Sequence, residues 1–201
     1  MMRFLLPLLL FAAALSAADD SKPALLSTTG GGNTWSDVAE LQKDAEAHKP
    51  AALAALGDML LTGDQVTKDV PKGLSMLEEA AKAGQSSAAF RLGKVYEDGQ
   101  LAPRDTTKAI QYYKQAAIAG VGEAQYNLGA LYVSGKGLKR DYREGLAWLL
   151  VAEKSGVTAG GAEKVRQHLV KTGRSELIPA AEKRAAEIAA ELKKSAEAPA
   201  K

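Results

Sequence analysis

The chain has 201 residues, 46% hydrophobic and 25% charged, with a formal net charge of +2. That length supports one domain with a sizeable core. The near-neutral balance and 5% aromatic content remove the basic groove and the stacking platform that nucleic acid requires. The absence of cysteine removes disulfides, thiolate metal sites and thiol nucleophiles together.

Met1–Ala18 opens with Arg3, continues as the apolar run Phe4–Leu15 and ends in Ser16-Ala17-Ala18. This is the three-part pattern of a secretory signal peptide, with cleavage expected after Ala18 and Ala17 as the other candidate. The apolar run is shorter than the roughly 20 residues that span a bilayer, so an uncleaved anchor is the alternative and no membrane span is expected after cleavage. No cysteine follows the cleavage point, which excludes lipid attachment there. The expected location is exported, periplasmic or secreted, in a bacterium. Residues 19–35 read as a flexible linker, because Gly30-Gly31-Gly32 loses much backbone entropy on ordering. They lack the Gly-Lys-Ser/Thr of a phosphate loop.

Ser36 is the expected N-cap of a first helix carrying Val38, Leu41 and Ala45 on one face. His48 and Lys49 end it, where positive charge suits the helix dipole, and Pro50 prevents continuation. Residues 36–49 therefore read as the second half of a helical hairpin whose first half is missing.

Three full copies follow at a fixed interval, over residues 50–84, 85–120 and 121–156. Leu56/Leu92/Leu128, Gly57/Gly93/Gly129, Gly63/Gly99/Gly135, Asp69/Asp105/Asp141 and Gly84/Gly120/Gly156 each recur 36 residues apart. A period in this range marks units that bury their apolar faces only by stacking. A first helix, A, is expected over Ala51–Leu61, Ser87–Glu97 and Glu123–Val133. Its apolar face repeats as Ala52/Leu56/Leu60, Ala88/Leu92/Tyr96 and Ala124/Leu128/Tyr132. The glycine inside it costs about 1 kcal/mol against alanine, which close approach of a neighbouring helix backbone would offset. The next glycine is a left-handed cap, and the aspartate N-caps helix B. Helix B presents Leu74/Leu77/Ala81, Ile110/Tyr113/Ala117 and Leu146/Leu149/Glu153, with small residues at Gly73, Ala109 and Gly145. Glu153, at the end of the array, is expected to face solvent. Tyr112 and Trp148 share one helix B position and read as core filler.

This pattern, A-x-x-x-L-G-x-x-Y-x-x-G…D…A-x-x-x-x-x-A-A-x-x-G, resembles the Sel1-like repeat (SLR), a relative of the tetratricopeptide repeat. The middle copy carries it most fully, with Ala88, Leu92, Gly93, Tyr96, Gly99, Asp105, Ala109, Ala116, Ala117 and Gly120. The resemblance implies an all-α fold, an α/α superhelix of antiparallel hairpins used for protein–protein contacts.

Residues 161–195 are expected to close the array. A degenerate helix A with Val165 and Leu169 inward precedes a long helix from Ser175 with Leu177, Ala181, Ala185, Ile188 and Leu192 on one face. Glu182, Lys183, Arg184, Glu187, Glu191 and Lys193 form its charged outer side, as a solenoid end requires. Pro179 is expected to delay the start of that helix by up to a turn, and residues 196–201 to form a frayed tail.

No catalytic constellation emerges. His48 and His168 lie at opposite ends of the repeat region and read as a helix-end charge and a surface residue, not metal ligands. No cofactor is implied. The curved array implied by the resemblance offers a concave wall of A helices, and its off-core residues Arg91, Lys94, Glu97, Glu123, Tyr126 and Asn127 are the candidates for contact with a protein or peptide. The leading reading is a non-catalytic, exported interaction scaffold. The alternative is a cell-envelope enzyme or enzyme subunit acting on peptidoglycan or β-lactams; a third reading is a regulator whose contacts use helix B or the C-terminal helix.

Overall fold

The computed structural model describes residues 35–197; the expected leader, nearly all of the linker and residues 198–201 lie outside that range. Among the described residues there are nine helices and no strand: α1 Val38–Glu46, α2 Pro50–Thr62, α3 Val70–Lys82, α4 Ser86–Asp98, α5 Thr106–Ile118, α6 Gly122–Ser134, α7 Tyr142–Lys154, α8 Gly161–Lys171 and α9 Leu177–Glu197. The all-α superhelical architecture is as expected. Helices α2, α4 and α6 are the A helices, and α3, α5 and α7 the B helices. Each A helix runs one residue further at both ends than expected.

The hairpins are fixed by their ends. Gly63, Gly99 and Gly135 close the A helices in the left-handed region, with φ of 82°, 73° and 73°. The chain is then drawn back: the N–H groups of Asp69, Asp105 and Asp141 donate to the carbonyls of Leu60, Tyr96 and Tyr132 at 2.9, 2.9 and 3.0 Å. Those aspartates cap the B helices by accepting from the N–H groups of Lys72, Lys108 and Glu144, each at 3.0 Å. A B helix ends in a paired C-terminal turn, as where Gly84 N–H donates to Ala81 and Gln85 N–H to Ala80.

Two expectations at the N-terminus change. The N-cap of α1 is Asp37, not Ser36: its carboxylate accepts from Glu40 N–H at 2.8 Å. Ser36 instead donates through both N–H and Oγ to the Glu40 carboxylate, at 2.9 and 2.8 Å. The helix opens on Val38, which places Asp37 at the capping position. Trp35, assigned to the linker, is 4% exposed and belongs to the core. Its indole N–H donates to Asp44 at 3.1 Å, which satisfies the one polar atom that burial would otherwise orphan.

The seam between helices is built from leucine, alanine and glycine. Leu56, Leu92 and Leu128 are all buried in one continuous core. A Cβ on Gly57 would lie 3.0 Å from the Gly73 carbonyl oxygen, and one on Gly129 2.9 Å from that of Gly145. The expected backbone approach therefore holds in the first and third copies. In the second, Ala109 replaces the facing glycine and the obstacle to a Cβ on Gly93 is the ring of Tyr113, at 2.6 Å. Glu153 is exposed, as expected.

The end of the array departs from repetition. Helix α8 sits against α7 and α6 as a fourth helix A would, burying Ala162, Val165 and Leu169. Helix α9 packs along α7 far more than against α8, so it crosses the array and does not complete a fourth hairpin. Its expected apolar face is correct, with Ala181, Ala185 and Ile188 buried. The helix opens at Leu177, two residues past Ser175 and within the expected delay, with Pro179 in its first turn, where proline gives up an N–H that has no partner. Helix α9 also continues through Ala196 and Glu197, which were expected to fray.

Candidate functional site

The row of helix A residues is used largely within the array. Arg91 is half-buried and its Nε–H donates to Asp58 of the preceding A helix. Glu97 accepts from the Tyr113 hydroxyl at 2.6 Å, and Asn127 lies near the same phenol. Burial of Tyr113, then the Glu97 carboxylate, pushes that phenol well above the usual tyrosine range, with Asn127 acting in the opposite direction. Tyr126 is half-buried against the start of α8, where a Cβ on Gly161 would meet its ring at 2.8 Å. Lys94 is exposed, its Nζ 6.0 Å from the Phe90 ring centroid; Glu123 is exposed in the first turn of α6. The six candidates thus divide: Glu97 bonds Tyr113 with Asn127 nearby, Arg91 and Tyr126 contact neighbouring repeats, and Lys94 and Glu123 face solvent. Buried Gln125 has a similar internal role, donating to the Ala117 carbonyl at 3.1 Å and accepting from Ser155 Oγ at 2.8 Å.

The other face of the array holds a more informative feature. Successive B helices flank a groove whose floor is the A helix between them, and this groove occurs three times. The first is walled by α1 and α3 over α2. It encloses about 1150 Å³ between Gln42 and Glu46 on one wall, Lys72 and Met76 on the other, and Leu56 and Leu60 beneath.

One repeat later the equivalent positions are Glu78, Lys82, Leu92, Tyr96, Lys108 and Tyr112. Here the chain closes its own groove. Tyr96 and Tyr112 stack at 5.8 Å with rings 6° from parallel, and Tyr96 donates to Glu78 at 3.2 Å. Lys108 Nζ lies 4.8 Å over the Tyr96 ring. Burial, then Glu78, raises the pKa of both phenols, so they remain neutral partners of the stack.

In the third groove the equivalents are Lys114, Ile118, Leu128, Tyr132, Glu144 and Trp148, and α9 lies against them through Arg184, Ile188, Glu191, Leu192 and Ser195. About 380 Å³ remains beside it. Arg184 was expected on the charged outer side of α9; it is instead half-buried, and its Nε–H donates to Glu144 at 3.1 Å. Glu144 also accepts from the Trp148 indole at 3.1 Å. Arg184 reaches Glu191 at 3.1 Å as well. Glu144, then Glu191, holds the guanidinium protonated above even the usual arginine range.

Two positions distinguish the open groove: Leu60 stands where Tyr96 and Tyr132 stand, and Met76 where Tyr112 and Trp148 stand. At the second, the tyrosine fills its groove, the tryptophan supports α9, and the smaller methionine leaves its groove open. The shared position of Tyr112 and Trp148 was visible in the sequence, and Met76 was the departure that marks the site. The open groove is also polarised. Lys68 and Lys72 lie at one end, with the Asp69 carboxylate between them turned to cap α3, and Glu46 and Glu79 lie at the other, where Glu79 meets His48.

Among the described residues no group of three or more His, Asp or Glu could hold a metal ion, and His48 and His168 are not brought together: the first meets Glu79, the second stacks beside Tyr142 with ring centroids 5.3 Å apart. No described helix is long and apolar enough to cross a membrane.

Comparison with known proteins agrees with this geometry. The model of the Sel1 repeat matches residues 50–85, 86–121 and 122–157. A protective antigen present in uropathogenic Escherichia coli strains, displaying an SLR fold, is similar at 29% identity and a TM-score of 0.62, over 75% of this chain and 33% of that one. A Sel1 repeat protein from Oxalobacter formigenes is similar at 28% identity and a TM-score of 0.61, over 80% of this chain and 66% of that one. The chain thus spans a third of the first structure and just under two thirds of the second. No curated protein matches. With three consecutive repeats matched over more than half its length, the chain belongs to the Sel1 repeat family.

Proposed function

We propose that this protein is an exported, non-catalytic scaffold that binds a segment of a protein partner in the groove between α1 and α3. Sel1 repeats mark a family of protein–protein interaction scaffolds; the binding surface and the location are our reading. One observation carries it. Among the described residues, the second groove is closed by its own tyrosines, α9 borders the third, and the first, of the same construction, has nothing over it. This favours helix B surfaces over the A-helix row, where Arg91 and Glu97 already have internal partners. The leader-like Met1–Ala18 supports export.

Affinity capture from the producing cell's envelope fraction, wild type against Met76→Lys, tests the surface. Loss of a partner with the variant supports it, and equal recovery rejects it. Mass measurement of the mature protein tests export, with a chain beginning at Asp19 expected. Turnover of peptidoglycan or a β-lactam by the purified protein would establish the enzymatic alternative.

A further inference from the structure

We infer that the partner segment is an amphipathic helix seated in the α1–α3 groove as α9 is seated two repeats later, but with the opposite charge at its anchoring position. This deepens the proposed function and rests on it. The chain supplies its own precedent for the occupant, because the third groove is built from equivalent positions and has a helix along its α7 wall, facing its floor. There α9 packs along α7 and anchors through Arg184 on Glu144, and Ile188 and Leu192, four and eight residues on, border one cavity with Leu128 and Tyr132 of the apolar floor. That is helical spacing along one face.

Moved to the first groove, the same seat changes at several positions, and the charge at the anchor reverses. Lys72 stands where Glu144 stands, with Lys68 beside it at that end. The floor stays apolar, Leu56 and Leu60 taking the places of Leu128 and Tyr132. A helix carrying Arg at the anchor would meet like charge, which disfavours its approach. A helix carrying Asp or Glu there, with large apolar residues four and eight positions later, meets complementary charge and the same apolar floor. The groove's 1150 Å³ also exceeds the usual small-ligand pocket of roughly 300–1,000 Å³. The α9 of a second copy is not the occupant, since it carries Arg184 and is already engaged with Glu144.

The test uses two synthetic peptides spanning residues 177–197, one with the native sequence and one with Arg184→Glu, each fluorescently labelled and titrated with the full chain. Binding of the Arg184→Glu peptide about tenfold tighter than the native one is expected, and a Lys72→Glu chain should reverse the preference. Lys72 is exposed, so that variant folds; circular dichroism verifies it. Equal affinities, a preference unchanged in Lys72→Glu, or no binding of either peptide would overturn the inference. Self-association of the chain abolished by Lys72→Glu would overturn it too, by making a second copy the occupant. Envelope partners captured through Met76 while both peptides fail would sink this inference and leave the scaffold reading standing.

Discussion

Gly129 and Gly145 face each other across the third hairpin so closely that a Cβ on either would lie 2.9 Å from the other's carbonyl oxygen. Helix propensity alone says that Gly129→Ala should stabilise the chain by about 1 kcal/mol. The contact says the reverse. The new methyl would also meet Leu149 Cγ at 2.9 Å and Leu149 N at 3.1 Å, so backbone must move, at about 1–3 kcal/mol. Urea unfolding should therefore show Gly129→Ala less stable than wild type by about 1–2 kcal/mol. A gain in stability would contradict the close-packed seam.

His48 occupies the position held by Gly84, Gly120 and Gly156 in later copies, and shares their left-handed backbone, with φ of 54°. A β-carbon there costs about 1 kcal/mol. His48→Gly and His48→Ala both remove the exposed contact with Glu79, so their difference isolates the backbone. The glycine variant should be the more stable by about 1 kcal/mol, or roughly 2–4 °C in Tm, read by thermal melts. Equal melting of the two would refute this.

Much of this was legible in the sequence for a physical reason. Caps, hairpin turns and the small-residue seam depend on residues within one copy, and the 36-residue interval shows each three times. What stayed hidden depends on neighbours distant in sequence. Trp35 carries no periodic signal, and only its fit beside Asp44 shows it to be core. Arg91 reads as a free surface cation until the preceding A helix brings Asp58 to it. The apolar face of α9 was readable, but not that it would cross α7 and bury Arg184, because that depends on how α8 and α9 leave the array.

Glu144 joins α7 to α9 through Trp148 and Arg184. Glu144→Ala should cost about 2 kcal/mol, the range for hydrogen bonds to a charged, partly buried group. Amide exchange over residues 177–197 should quicken more than over α2 and α3. Uniform quickening would mean that this contact does not hold α9 in place.

Tyr113 links pH to stability. Its phenol is held above the usual range by burial and by Glu97, so the folded chain keeps a proton that the unfolded chain releases near pH 10. The stabilisation is complete below about pH 10 and is lost as pH rises beyond it. Wild type should lose stability more steeply above pH 10 than Tyr113→Phe, and absorbance at 295 nm should show one tyrosine ionising only on unfolding. Parallel alkaline profiles for the two proteins would contradict the assignment.

The claim on which the functional account depends is that contact with the partner runs through the first helix B groove and not the A-helix row. A photo-crosslinking residue placed in turn at positions 76, 94 and 123, irradiated in producing cells, tests this most directly. The account predicts a partner adduct at 76 and none at 94 or 123. Adducts at 94 or 123 with none at 76 would contradict it.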